Sequence, residues 1–580
     1  MKLITFFKND KLLSNKDKLS LLKDNKIFVG EWCLNQENIF KKQKEKFYQF
    51  SHWDNTNKVT KDINYIKKIY TKILQNLTKS LNAYHSKNYS EKYWEILLSR
   101  WLSSYVSYLF DRWEISKSIL KNKKIHSVIN LEFKNNTFIT NNSISFNNMI
   151  VSNNYWTSWV FGKIFEFNKK VKIEKKKPKT NINIYQYKLK YSNFLNFFFD
   201  KKKIFFYMFS IPLRLKLKIL IKNKQFTFKT SKRTLNEFSN IKLNRTSFYR
   251  YKKSKDKFLN FANNLLTQNI PKIFVENYYS LEKAHKNLNW PKKPNYIITS
   301  LAHFYDEVFK IYTAKNIING TKFLISQHGS GYGLETNNIS EDLEKNICHR
   351  FLTWGWKEDK KTFPLFITSP NIKIKNKINY SSNKKILLLV YPFPLHPGRP
   401  TVPIRSPKKR NNYIKSVISF LQILDLKNKK NLEISYWPKS FSETEKHSIH
   451  YKFPKIKFID PRNQKENYKD NYCIQVESWL STGFFEAMTV NKPVILIFNK
   501  EFIYVRKSFN KYVAMLKKVN ICHSNYESAS KFVNQNLNNI NSWWSNKELQ
   551  KVRKLFTQEY CRYSENPISD FYSSINFNEK

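Results

Sequence analysis

Residues 326–333 read SQHGSGYG and hold three of the nine glycines in a chain of 580 residues. Gly329, Gly331 and Gly333 stand at alternate positions. That spacing lets the backbone take positive φ and lets its N–H groups approach an anion with no Cβ in the way. His328, just before them, carries an imidazole suited to general-base work or to hydrogen bonding a phosphate or carboxylate. The intervals are not those of the GxGxxG dinucleotide turn. A tight turn with no ligand is the plain alternative.

Three further groups carry possible chemistry. In VYPFPLHPGRPTVPIRSP, Pro392, Pro394, Pro397, Pro400, Pro403 and Pro407 make six of the chain's 18 prolines. Such a run is stiff and extended, so it fixes His396, Arg399 and Arg405 at low entropic cost, and a held guanidinium suits phosphate. A rigid surface loop whose basic residues only meet water is the other reading. In ESWLSTGFFEAMTVNKPVILIF a strand ends before Ser481 and Thr482, and the helix that follows can bind phosphate through hydroxyls and free N–H groups at its start. Glu486, read as lying in the first helical turn, either grips a ribose diol or merely complements the helix dipole. Near the N-terminus, Glu31 follows Gly30 at a strand end and Asp54 follows His52 and Trp53. Both are candidates for the base that deprotonates an acceptor hydroxyl, and both could simply cap backbone N–H groups. The sequence has no Asp-x-Asp pair, so nothing calls for a divalent metal to hold a diphosphate. Arg, Lys and helix N-termini are left to stabilise a leaving group.

These residues need scaffolds, and the hydrophobic periodicity supplies them. NYIITS reads as a strand, AHFYDEVFKIYTAKNI as a helix and TKFLISQHG as a strand, a βαβ unit that puts the glycine loop at the carboxyl edge of a parallel sheet. After RFLTWG and a connector reaching about residue 384 the pattern restarts. KKILLLVY, NLEISYW, IKFID, YCIQVES and KPVILIF are strands with helical runs between them, a second doubly wound unit. Near the start, KIFVGEWC reads as a strand. YSEKYWEILLSRWLSSYVSYLFDRW then predicts a long helix capped by Ser90, with Trp94, Leu97, Trp101, Tyr105 and Leu109 at helical spacing and Glu95, Arg100 and Asp111 on other faces. The expectation is an α/β protein of two Rossmann-like doubly wound domains facing a central cleft. Residues 1–375 form the first, with a basic insertion at 168–259; 384–545 form the second; 546–580 form a helical tail.

Lys and Arg number 103 against 44 Asp and Glu, a formal charge of +59. The excess is mostly Lys, spread along a chain rich in Asn, Ile, Phe and Tyr and poor in Ala and Gly, as an A+T-rich coding sequence would give. No specific nucleic-acid partner is therefore expected, while an anionic inner-membrane surface is a possible one. With 41% hydrophobic and 16% aromatic residues the chain is no disordered basic tail. Its five cysteines are odd in number and lack CxxC spacing, which argues against a disulfide framework or a zinc site. MKLITFFKND has no signal-peptide core, and the apolar run IFFYMFSIPL is too short to span a bilayer. A cytoplasmic setting fits.

VGEWCL, HWD at 52–54, YWEILLSRWL, SQHGSGYG, FLTWGW and ESWLSTGFFEAMTVNKPVILIF together resemble a family of transferases encoded among bacterial surface-carbohydrate (O-antigen) genes. The Ser-Thr-x-x-x-Glu run looks like the nucleotide-sugar site in the C-terminal domain of GT-B glycosyltransferases. The Gln-His-Gly element is similar to capsule Kdo transferases and to teichoic-acid glycerophosphotransferases. The resemblance implies a GT-B-like, metal-independent glycosyltransferase. Its donor would be a nucleotide-activated sugar, with no other cofactor, and its acceptor a lipid-linked saccharide or an oligosaccharide of O-antigen or capsule type. Phosphoalcohol transfer from a CDP-glycerol-type donor is the near alternative, and a basic nucleic-acid-binding protein the distant one. The lysine-loaded middle departs from the family's pattern and leaves the acceptor side open.

Overall fold

Asn55 accepts the N–H groups of Asn57 and Lys58 and starts α1 (Thr56–His85), which Ser86 ends in the left-handed conformation at φ 52°. Ser90 accepts from the Tyr93 N–H and starts α2 (Glu91–Lys121), as its sequence predicts. Only residues 86–90 separate the two helices, so they form an antiparallel hairpin. α2 buries side chains on every face, from Tyr93 through Trp101 and Tyr105 to Ile119. It can do so because it is clasped by α1 and by the helices Asn154–Asn168 and Glu307–Ile318. A helix enclosed all round has few places for polar groups, so those it keeps need a reason. The computed structural model describes residues 1–6, 12–14, 26–33, 47–48, 51–122, 124–198, 203–235, 245, 247–369, 372, 384–394, 396–400, 406–436, 444–464 and 468–576.

Three parallel sheets surround this core. The first holds β1 (Lys2–Ile4), β2 (Lys26–Phe28), β3 (Ser127–Leu131) and β4 (Lys172–Lys176) in the order β2-β1-β3-β4. Next in the chain is an antiparallel ribbon of β5 (Leu189–Phe198) and β7 (Gln225–Leu235), which encloses β6 (Ile204–Phe206) and α3 (Leu213–Lys222). β6 joins β8 (Tyr296–Thr299), β9 (Lys322–Ser326), β10 (Arg350–Thr353) and β11 (Thr362–Pro364) in a second sheet, β6-β8-β9-β10-β11. The first half therefore carries two sheets where the periodicity suggested one. Nor is 168–259 a single insertion: β4 and β6 are integral strands, and only the ribbon with α3 is added outside a sheet.

The second half is the doubly wound unit its sequence predicts. β12 (Ile386–Leu389), β13 (Leu432–Ser435), β14 (Lys457–Ile459), β15 (Ile474–Glu477), β16 (Val494–Ile497) and β17 (Cys522–His523) pair in the order β14-β13-β12-β15-β16-β17. Winding reverses between β12 and β15, and open sheets bind ligands outside the strand ends at that reversal. The two loops that leave those ends are the proline run and the Ser481–Thr482 turn. The tail does not stand apart. Its helix Lys547–Tyr560 packs Phe556 against Phe484 and Phe485, while the helix Pro567–Ile575 returns to the first half and sets Phe571 beside Phe206. Among the described residues no helix is long and apolar enough to cross a membrane.

Candidate functional site

The two halves meet along a seam where most of the sequence candidates converge. On the first half, Gln327 fixes the glycine loop. Its side-chain oxygen accepts from the Trp354 N–H (3.0 Å) and the Trp356 indole (2.8 Å), and its amide nitrogen donates to the Gly329 carbonyl (3.0 Å). Gly331 and Gly333 have φ of 91° and 71°, and a Cβ on Gly333 would overlap the Trp356 ring. Gly329 has no such need, since a Cβ there would meet only the Thr482 hydroxyl at 3.5 Å. Two of the loop's N–H groups are also already used. Gly333 donates to Glu341 (2.8 Å), and Ser330 donates across the seam to the Thr482 hydroxyl (3.1 Å). The loop thus docks the halves together rather than offering a bare anion nest.

His328 stands at the mouth of this loop, its ring edge-on to Phe304 and Tyr332. Behind it is Glu344, on α4 (Ile339–Ile347), which accepts from the Tyr332 hydroxyl (2.8 Å) and lies 3.3 Å from His303 Nε2 and 4.0 Å from His328 Nδ1. Burial holds the Glu344 carboxyl well above the usual range and the His303 imidazole well below it, and both directions disfavour an ion pair. Burial and the nearby Arg100 charge bring His328 down to about 4.

Arg100, Ser104, Tyr108, Asp111 and Arg112 fall on one face of α2 at intervals of three or four, and that face is a wall of the seam. The Arg100 guanidinium lies over Phe304 (4.5 Å) and is lowered to about 9 by burial and the like charge of Arg399. Arg399, from the proline run, donates to Ser104 (3.1 Å). Arg112 donates to Asp111 (2.7 Å) and to the Pro397 carbonyl (3.0 Å). A Cβ on Gly398 would strike Tyr108, so the run lies flat on the helix. Among the described residues no acid pairs with Arg100 or Arg399. Two guanidinium groups, one from each half, thus share a partly buried space with no counter-ion among the described residues, which suits an anionic ligand.

Other candidates are occupied differently. His396 is buried, its ring hydrogen-bonds Asn154 (2.8 Å), its backbone N–H donates to the Val151 carbonyl (3.1 Å), and burial holds the imidazole well below its usual value. It anchors the proline run to the first half. Residues 396–399 are accordingly docked on the first half rather than meeting water alone. Arg405 lies outside the described residues, and of Glu31 only the backbone is described, in the short turn Glu31–Cys33. That turn does reach the seam, because Trp32 packs edge-on against His396 (5.0 Å). Asp54 is exposed in the turn before α1. Its neighbour His52 is buried between Asp111 (3.2 Å) and Asp62 (3.4 Å). Burial pulls its pKa down, but the two carboxylates outweigh that and raise it.

On the second half Ser481 caps α5 (Thr482–Thr489), accepting from the Phe484 N–H. Glu486 lies beyond the first turn, contrary to the sequence reading, and so does little for the helix dipole. It accepts from the Ser369 hydroxyl (2.7 Å) and approaches Lys469 (3.3 Å). Beside it Glu477, at the end of β15, is fully buried, and burial pushes its carboxyl up to about 7 against the pull of Lys469. The sequence reading missed Glu477, Glu344, His303 and the polar face of α2. For α2 a signal existed, since Arg100, Ser104, Tyr108 and Asp111 recur at helical spacing in an otherwise apolar helix. For Glu344 and His303 none did.

The sequence pattern of the LIC12162 family transferases matches residues 12–575. The chain belongs to that family. A LIC12162-family transferase is thus an enzyme of group transfer, and Arg100 and Arg399 lie where its two halves meet. No curated protein matches it. Among solved structures it is similar to a "putative UDP-N-acetylglucosamine 2-epimerase" from Listeria monocytogenes, at 10% identity over 53% of this chain and 82% of that one, with a TM-score of 0.31. It is also similar to an O-GlcNAc transferase mutant from Thermobaculum terrenum, at 8% identity over 54% of this chain and 58% of that one, with a TM-score of 0.28.

Proposed function

We propose that this transferase moves a sugar from a nucleotide-activated donor to a surface-polysaccharide acceptor, lipid-linked or oligosaccharide, of O-antigen or capsule type, on the cytoplasmic side of the membrane. The observation that carries the reading is that Arg100 and Arg399 lie together beside the switch point of the second sheet with no acid paired to either among the described residues. A diphosphate there would satisfy both forks and take up the charge that grows on the leaving group, without a metal and without a cofactor beyond the donor itself. Ser481, Thr482 and Glu486 stand at the same switch point for the nucleoside. His328, neutral at pH 7, is able to take a proton from an acceptor hydroxyl, with Glu31 and Asp54 the rival bases.

The test is a thermal-stability screen with UDP-, GDP-, CMP- and dTDP-sugars and CDP-glycerol. A donor at about 100 times its Kd stabilises the native state by about 2.7 kcal/mol. The shift is expected with a nucleotide sugar, to vanish in Arg100→Ala and Arg399→Ala, and to persist in His328→Asn, whose turnover falls by about 100-fold or more. A shift with CDP-glycerol alone would replace sugar transfer by phosphoalcohol transfer. A shift that both arginine variants keep would remove the site.

A further inference from the structure

Exposed large apolar side chains collect in the added segment of the first half. On α3, Leu213, Leu217 and Ile221 are 69%, 48% and 60% exposed at positions i, i+4 and i+8, while Leu215, Ile219 and Leu220 face the core. On the ribbon, Leu195 pairs with Phe228 and Phe197 with Phe226, directly across the strands. All four are more than 40% exposed, so one face of the ribbon is apolar and uncovered. The residues 223–224 join α3 to β7, so both patches sit at the same edge of the molecule. Monomeric proteins rarely leave such patches in water.

Charge decides what covers them. From Leu189 to Leu235 the sequence has twelve Lys or Arg and a single acid, Asp200. Arg214, Lys218 and Lys222 of α3 line a groove of about 1080 Å³ with Arg562 and Tyr572, on the side of α3 that faces the C-terminal helix. A second copy of this chain would bring like charge against like charge. An anionic bilayer surface instead meets both needs. Its phosphates take the lysines and arginines, and its acyl boundary takes the leucines and phenylalanines, the arrangement of an interfacial helix.

We infer that α3 and the β5–β7 ribbon form a docking surface for an anionic lipid bilayer, with Leu213, Leu217, Ile221, Leu195, Phe197, Phe226 and Phe228 entering the headgroup layer. The inference agrees with a lipid-linked acceptor, but it rests on this surface and not on the donor site. Binding and chemistry can therefore fail separately.

The experiment is co-sedimentation of the full chain with vesicles at 0.15 M salt, using phosphatidylglycerol with phosphatidylcholine or phosphatidylcholine alone. The anionic vesicles should hold the protein about tenfold or more tightly, and Leu217→Glu/Ile221→Glu and Phe226→Ser/Phe228→Ser should each lose about tenfold of that. These positions are exposed, so the melting temperature and any donor-induced shift should stay as in the wild type. Lys427→Glu/Lys430→Glu, on exposed residues of the second half, removes more positive charge and should lose less than about threefold. The proposal falls if that control loses as much as the patch variants, since the binding is then only general attraction to a basic chain. It also falls if neutral vesicles bind equally well. It falls again if the patch variants change only a concentration-dependent molar mass, which would make the surface a contact between copies.

Discussion

Glu477 ends β15 fully enclosed, and the missing side chain of Gly483 gives it room, since a Cβ there would lie 2.8 Å from its Oε1. Lys469 stands nearby, yet desolvation dominates and the carboxyl is raised from 4.5 to about 7. The consequence for stability has a definite sign. Below about pH 4.5 both the folded and unfolded chains hold this proton, and between there and pH 7 only the folded chain does. Stability from this group therefore declines as pH rises through that window and is fully lost above it, a difference on the order of 3 kcal/mol. Glu477→Gln copies the protonated form and cannot ionise. It should match the wild type near pH 4 and exceed it in denaturant midpoint at pH 8. Equal pH dependence of the two proteins would mean that Glu477 ionises normally and that Lys469 balances burial.

The glycine loop shows what an element demands of its residues, and it separates what the sequence revealed from what it hid. The alternate glycines marked a backbone need correctly at Gly331 and Gly333, where φ is positive. They misled at Gly329, where the conformation is ordinary. Gly333→Ala should destabilise by about 2 kcal/mol or more, because it combines strain at positive φ with overlap on Trp356, while Gly329→Ala should stay within about 0.5 kcal/mol. Equal losses in the two melting curves would contradict this account. The strands and long helices were legible because their apolar periodicity is local: α2, β9, β12, β15 and β16 all fall where the pattern put them. The ligation of the site was not. Arg100 and Arg399 are 299 positions apart, and only the docking of the proline run on α2 makes them neighbours. In the sequence His52 is only the neighbour of the candidate base Asp54, and no local pattern pairs it with Asp111, which the fold sets 3.2 Å away.

At the scale of the whole molecule the tail is what resists a simple division at residue 545. After the helix Lys547–Tyr560 packs on the second half, α6 (Pro567–Ile575) crosses back to the second sheet of the first half. Phe571 is fully buried there near Phe206 and Phe209, and Arg350 donates to the carbonyls of Ser574 (3.0 Å) and Asn576 (2.7 Å) at the end of α6, where unsatisfied carbonyls favour a cation. The chain is thus strapped: residues 567–576 cover the second sheet from β6 to β10, which ties the tail of the second half to the first. Phe571→Ala should cost about 3–5 kcal/mol, the usual loss for a fully enclosed phenylalanine. Its damage should appear in the first half, although the substitution lies in the tail that follows the second. Limited proteolysis reads the location. Early cuts within 204–235 are expected, because α3 and β6 lose their cover, while 474–536 stays protected by its own sheet. Early cuts confined to the second half would show the tail to be an ordinary appendage of that half.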